Sequence, residues 1–266
     1  MKHNYKGRLN VKSTEEINKI EKACRIVADT LQLLEKYVVA GISTLELDSI
    51  AEDYIKSKNA IPAFKGFKSD NLVFPNTLCI SIDEEVVHGI PSKSRILNEG
   101  QIVSIDCGCS IEGYYGDSAV TYAVGKVSDE KMKLMKVTDE SLFLGIEQAK
   151  ARNKVYDISK AVQIHCEKNG YSLTRELSGH GIGKYLHEHP AIPNFVPPLL
   201  QRNYYPNEKL VKGMALAIEP MVHQGKKDVY VASDGWTIYT ADKKPAAHFE
   251  HTIIVDDNQP IILTLR

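Results

Sequence analysis

Apolar residues recur along this chain with two periods, the 3.6-residue period of a helix and the two-residue or continuous period of a strand. From Thr14 to Tyr37 they fall at Ile17, Ile20, Ala23, Cys24, Val27, Leu31 and Leu34, a single stripe, with Ser13 or Thr14 placed to cap it and Glu16 in the first turn. After Gly41, Ser43 or Thr44 opens a second helix through Leu47, Ile50, Ala51, Tyr54 and Ile55 that ends near Lys58-Asn59. Residues 61–75, rich in Phe, Pro, Gly and Asp, predict an ordered loop. Two short strands around an Asp83-Glu84 turn span 78–87 and deliver His88 at their end.

The pattern then repeats. Ser128 to Lys150 and Asn153 to Asn169 predict two more amphipathic helices, with Leu134, Val137, Leu142 and Ile146 on one stripe and Val155, Ile158, Val162 and Cys166 on the other. Strands follow at Met214 to Pro220, ending in Glu219, and at Ala247 to Val255, with Glu250 inside it. The order helix, helix, strands therefore occurs twice, as in a duplicated domain.

Composition narrows the class without choosing a function. The chain has 266 residues, 43% hydrophobic and 25% charged, enough to bury a large core. Its 33 Lys and Arg against 34 Asp and Glu give a net charge of -1, so no nucleic-acid site is evident and no anionic membrane is called for. No apolar run approaches a membrane span or a secretory signal, and five scattered cysteines without C-x-x-C pairing imply reduced thiols; a cytoplasmic location is expected.

The candidate chemistry centres on residues 101–120. Ile102, Val103 and Ile105 lead to Asp106, and Tyr114 and Tyr115 lead through Gly116 to Asp117, with Glu112-Gly113 as the turn of a β-hairpin. A turn centred on Ile111 and Glu112 places Asp106 opposite Asp117; a centre one residue later makes them diagonal neighbours on one face. Both registers aim two like charges at one point, which calls for an opposing charge, a shared proton, a metal ion or solvent around them.

Downstream, glycines bracket His180 in LSGHGIG, a setting that fixes an imidazole on a tight bend, and His187 follows seven residues later. Glu219 and Glu250 each lie in an apolar strand with no basic neighbour, a costly placement unless the carboxylate is paired, hydrogen-bonded or bound to a metal. Asp106, Asp117, His180, Glu219 and Glu250 together exceed the needs of one tetrahedral zinc and suit two divalent ions bridged by shared carboxylates. Such a pair makes a hydrolase, and ligands of this mix accept manganese, iron, cobalt or zinc.

The set resembles the type I methionine aminopeptidases of peptidase family M24, through EEVVHGIP around His88, the pair Asp106 and Asp117, SGHGIG around His180, IEPM at Glu219 and FEHTI at Glu250. The resemblance implies an α/β (α+β) pita-bread fold, two pseudo-twofold halves around a central antiparallel sheet. A tail of residues 1–12 would precede one catalytic domain, 13–266. It implies that Asp106 chelates one metal, that Asp117 and Glu250 bridge both, and that His180 and Glu219 complete the coordination of the second metal, with Glu219 as general base. His88 and His187 would contact substrate, and the pocket for a methionine side chain would draw on Phe67, Phe74, Cys79, Leu186 and Trp236. The implied reaction is removal of the initiator methionine from peptides and nascent chains whose second residue is small. A monomer and transient ribosome association are the corresponding partner expectations.

Three features depart from the family pattern: an apparent insertion at 68–73, His189 where an acid is common, and Asp83 at a turn near a monovalent-cation site. Three readings compete with the leading one. A proline-specific aminopeptidase or prolidase keeps fold and metals but usually carries a larger N-terminal domain. A metal-free binding protein on the same fold would lack ligands, and all five are present. A cysteine nucleophile at Cys79 or Cys107 lacks a base and orienter at suitable spacing.

Overall fold

The computed structural model describes residues 10–265 apart from 70, 204 and 206. Its first helix, α1 (Thr14–Glu35), starts where Ser13 and Glu16 form a reciprocal cap: Glu16 N donates to Ser13 Oγ at 3.3 Å and Ser13 N to Glu16 Oε2 at 2.9 Å. Ser43 and Glu46 repeat the device at the start of α2 (Thr44–Ser57). The predicted stripe of α1 is buried from Ile20 to Leu34. It lies across the long hairpin formed by Ile102–Ile111 and Tyr114–Ala123. A Cβ at Gly116 would sit 2.5 Å from Cys24 N, so helix and hairpin pack this closely only because position 116 has no side chain.

The second half repeats the helix pair as α3 (Asp129–Ile146) and α4 (Val155–Lys168), again followed by strands. The central antiparallel sheet is built in two parts. Strands 61–62, 102–111, 78–82 and 114–123 make one, and strands 188–193, 178–181, 215–218, 251–254 and 261–262 make the other. The parts are stitched where Thr252 Oγ1 donates to Asp117 O at 2.7 Å and Glu250 N to Ala119 O at 3.0 Å. The inner faces of all four helices share one apolar core with this sheet.

The hairpin turns at Glu112 and Gly113, both with φ above +50°, and pairs Ile111 with Tyr114. Asp117 therefore faces Gly108 and Asp106 faces Ala119, the diagonal register of the two expected. Other expectations need correction. The loop predicted at 61–75 contains a two-residue strand, Ile61–Pro62, and a small hairpin of Lys68–Ser69 with Leu72–Val73. The strand predicted over 247–255 is two strands, Ala246–His248 and His251–Ile254, with Glu250 in the break. Glu219 likewise lies between Ala215–Ile218 and Met221–His223. Both chains leave one sheet and join another at these points, a change of partner that apolar periodicity does not record. His180, expected on a tight bend, lies inside strand Ser178–Gly181. Its flanking glycines admit neighbouring strands instead: a Cβ on Gly179 would strike Ala217 O, and one on Gly181 would strike His189 O.

Of the predicted tail, residues 1–9 lie outside the described residues. Asn10 to Lys12 run against the body, with Val11 bridging Met214. Among the described residues no helix is long and apolar enough to cross a membrane.

Candidate metal centre

The hairpin, the strand of His180 and the two strand breaks converge on one cavity of about 290 Å³. It is lined by Asp106, Asp117, His180, Glu219 and Glu250, by His88 and His187, and by the expected pocket residues Phe67, Phe74, Cys79, Leu186 and Trp236. These twelve expected metal-ligating and substrate-contacting residues meet there. Asp117, His180 and Glu250 form the tightest group, with one ligand atom from each within 4.8 Å of the others. Asp106 and Glu219 reach the same space from the hairpin and the strand break.

The electrostatics of the group are unfavourable as they stand. Burial, then the charges of Glu250 and Asp106, raise the Asp117 carboxyl well above its ordinary range. Burial raises Asp106 to about 7 against the hydrogen bonds it shares with Asp117 and Cys107. Glu219 and Glu250 are raised by burial and then by neighbouring carboxylates. Among the described residues no lysine or arginine pairs with any of the four. His180 Nε2 stands 3.4 Å from Glu219 Oε1, and His248 Nε2 stands 3.9 Å from Glu219 and 4.0 Å from Glu250.

Three carboxylate oxygens, Asp106 Oδ1, Asp117 Oδ1 and Glu250 Oε1, are buried without a hydrogen-bond partner among the described residues. Buried acceptors left unmatched call for a ligand, and oxygen donors with one imidazole are the chemistry of divalent ions. The imidazole is prepared for that role. His180 Nδ1 lies 2.9 Å from Gly181 O, so donation to that carbonyl puts the proton on Nδ1 and leaves Nε2 facing the carboxylates. The residues present fit a divalent metal centre.

One end of the cavity is apolar. Phe74 and Trp236 meet edge to face with centroids 5.3 Å apart, beside Cys79 and Leu186. Trp236 is set by Asp234, which accepts from the backbone N–H groups of Trp236 at 2.8 Å and Thr237 at 2.9 Å. His187 packs edge to face on His180 at 4.5 Å and on Phe67 at 5.4 Å. His88 holds φ 60°, a backbone conformation uncommon for a residue with a side chain. Burial pushes the Cys79 and Cys107 thiols well above their usual range, which argues against a thiolate nucleophile.

Sequence reasoning missed His248, a wall residue 2% exposed whose backbone N–H donates to Thr121 Oγ1 at 2.9 Å. Burial, then the His88 charge, lowers its pKa to about 3, so it is neutral. The available signal was its place two residues before Glu250. Lys68 and Ser69 of the small hairpin also line the cavity. His189, by contrast, is not among the lining residues and faces Glu208 at 3.4 Å. Asp83 accepts from the Lys131 ammonium at 2.5 Å and from Ile102 N at 3.1 Å.

Residues 18–257 match the model of metallopeptidase family M24. The methionine aminopeptidase of Clostridium acetobutylicum is 48% identical over 255 residues, covering 96% of this chain and 98% of that one. The solved methionine aminopeptidase of Thermotoga maritima superposes with a TM-score of 0.91 at 39% identity, over 97% of this chain and 100% of that chain. The prolidase of Pyrococcus furiosus, at 23% identity and a TM-score of 0.77, shares the fold over 96% of this chain and 65% of its own. Matched along nearly its whole length, the chain belongs to metallopeptidase family M24 and falls among that family's methionine aminopeptidases.

Proposed function

We propose that the chain is a dinuclear metal-dependent aminopeptidase that removes the initiator methionine from nascent proteins when the second residue is small. The observation that carries this reading is the junction of an unsatisfied carboxylate cluster and an apolar end within one cavity. Asp106, Asp117, His180, Glu219 and Glu250 would hold two divalent ions, manganese, iron, cobalt or zinc according to supply. Ions held there would supply a nucleophilic water near neutral pH and Lewis acidity at the scissile carbonyl.

The side chains supply the rest. Glu219 accepts the proton of the attacking water and returns one to the leaving amine. His88 and His187 hydrogen-bond the scissile amide and the oxygen on which charge develops. The Phe74, Cys79, Leu186 and Trp236 end holds an unbranched thioether, which an apolar, polarisable wall favours. We further propose a cytoplasmic location, transient contact with the ribosome, a monomeric state and one catalytic domain over 13–266.

The test is release of the first residue from Met-Ala-Ser and Pro-Ala-Ser. It uses chelator-stripped protein, the same protein reloaded with manganese or cobalt, and Asp106→Ala. Methionine release that depends on metal and is absent in the variant supports the reading. Proline release moves the protein to the prolidase side of its fold, and no turnover with two ions bound makes it a binding protein.

A further inference from the structure

Lys12 and Glu188 form an ion pair inside the fold, their side chains only 1% and 7% exposed. Two charges withdrawn from water to this degree persist only where each matches the other, and loss of one leaves its partner uncompensated. Glu188 is held further by Asn10 Nδ2, which donates to Oε2 at 3.1 Å, and by Tyr185 N, which donates to Oε1 at 3.2 Å. Lys12 is fixed at its backbone, where its N–H donates to Gly213 O at 2.8 Å. The lysine stem lies against Gly183, where an added Cβ would come within 2.7 Å of Lys12 Cε and 2.8 Å of Glu188 Oε1.

The place of this pair in the chain gives it a consequence for the site. Residues 182–187 form the loop between His180 and His187, and Glu188, adjacent to His187, closes it by pairing with Gly181. Tyr115 N donates to Gly183 O at 2.9 Å, so the same loop also rests on the hairpin two residues from Asp117. Lys12 thus braces from below a loop whose upper end carries an imidazole wedged between the rings of His180 and Phe67. Without the ammonium, the Glu188 carboxylate must either stay buried with only the neutral donors Asn10 Nδ2 and Tyr185 N or turn toward water, and a turn at 188 moves the neighbouring His187.

We infer that Lys12, acting through Glu188, is a positioning residue that fixes loop 182–187 and holds the His187 imidazole against the substrate. This inference rests on the aminopeptidase reading and on His187 as a substrate contact. It assigns a part in the reaction to a residue before the first helix, far in sequence from every cavity-lining residue.

The test compares the metal-loaded full chain with Lys12→Met, Glu188→Gln and the double variant, using Met-Ala-Ser. A displaced hydrogen-bond donor acts mainly on the transition state, so Lys12→Met is expected to lower kcat about 10- to 100-fold. KM and bound metal per chain should stay within about twofold. The double variant replaces both charges with neutral groups of similar shape and should recover most of kcat, which a role as a mere anchor of the N-terminal segment does not predict. Wild-type kcat in Lys12→Met, whatever its Tm, overturns the inference. So does a loss of bound metal that accounts for the fall, or a double variant as impaired as the single ones. If Lys12→Met does not fold, Glu188→Gln against the double variant decides, with equal kcat in the two counting against. Failure of the wild-type chain to release methionine would instead remove the aminopeptidase reading itself.

Discussion

Glu219 and Glu250 occupy opposite positions in a ladder that breaks at both. Ile218 pairs with His251 before the break and Met221 with His248 after it, so the interrupted register sets the two glutamates against each other. Directly opposite residues of an antiparallel ladder share a face, so both carboxylates turn into one cavity where the two breaks coincide. The cost is two buried, mutually repelling carboxylates, each raised in pKa.

Glu250→Gln therefore separates stability from function. Removing an outer partner of a metal ligand costs 10- to 100-fold, so removing a ligand should lower kcat/KM by at least about 100-fold. The metal-stripped variant should nevertheless be more stable than stripped wild type at about pH 8, by about 1 kcal/mol or more, because one uncompensated charge is gone. Denaturant midpoints of the two stripped proteins check this. A less stable variant would mean that Glu250 is a structural partner first.

The stripped protein should also lose stability as pH rises. A carboxyl whose pKa is raised by folding binds its proton more tightly in the folded state. Its contribution is complete below the unfolded value near about 4 and disappears as pH climbs through the folded value. For Asp106 that window reaches to about 7, and its three carboxylate neighbours are shifted in the same direction. Unfolding free energy of stripped protein is expected to fall by more than about 2 kcal/mol between about pH 5 and about pH 8. Protein reloaded with metal should not follow, since bound cations favour the charged forms. A stripped protein that gains stability over the same range would show that the carboxylates have partners.

Trp236→Ala opens the apolar end of the cavity by removing the ring that meets Phe74 edge to face. Burial of a methionine side chain against such a wall is worth about 1.5 to 3 kcal/mol, so kcat/KM for Met-Ala-Ser should fall about 10- to 100-fold. Metal affinity measured by calorimetry should be unchanged, because Trp236 is anchored through Asp234 rather than through any carboxylate of the centre. Loss of metal together with activity would place the tryptophan in the wrong role.

What could be read from the chain divides along physical lines. The helices were legible because capping pairs such as Ser13 with Glu16 and apolar stripes such as Ile20 to Leu34 are local signals. The carboxylates and histidines were legible because charge in apolar surroundings is conspicuous in one dimension. The strand breaks at Glu219 and Glu250 were not, since a change of sheet partner depends on distant strands. His248 was missed because its environment is set by Thr121 and His88 rather than by its neighbours. The burial of Lys12 was invisible for the same reason: its partner lies 176 residues away.

Two glycines of one hairpin show how closely packing and chemistry are interleaved, and their alanine variants should part company. At Gly116 an added Cβ would lie 2.5 Å from Cys24 N and 2.8 Å from Ala23 C, backbone atoms that move only with the whole of α1. Overpacking of this kind costs about 2 to 3 kcal/mol, so Gly116→Ala should lower Tm by roughly 5 to 10 °C with metal bound or removed. At Gly108 the new methyl would instead meet Phe64 Cε1 at 2.9 Å, Ala63 Cβ at 3.1 Å and Asp117 Oδ1 at 3.1 Å, side-chain atoms rather than helix backbone. The Asp117 oxygen cannot shift without leaving the cluster it shares with His180 and Glu250. Gly108→Ala is therefore expected to weaken metal binding about 10-fold or more while changing Tm of the stripped protein by less than Gly116→Ala does. Calorimetric titration of metal and thermal scans of both stripped variants decide the matter. If the two variants lose stability equally and bind metal alike, the hairpin acts as a rigid unit and Gly108 has no special bearing on the site.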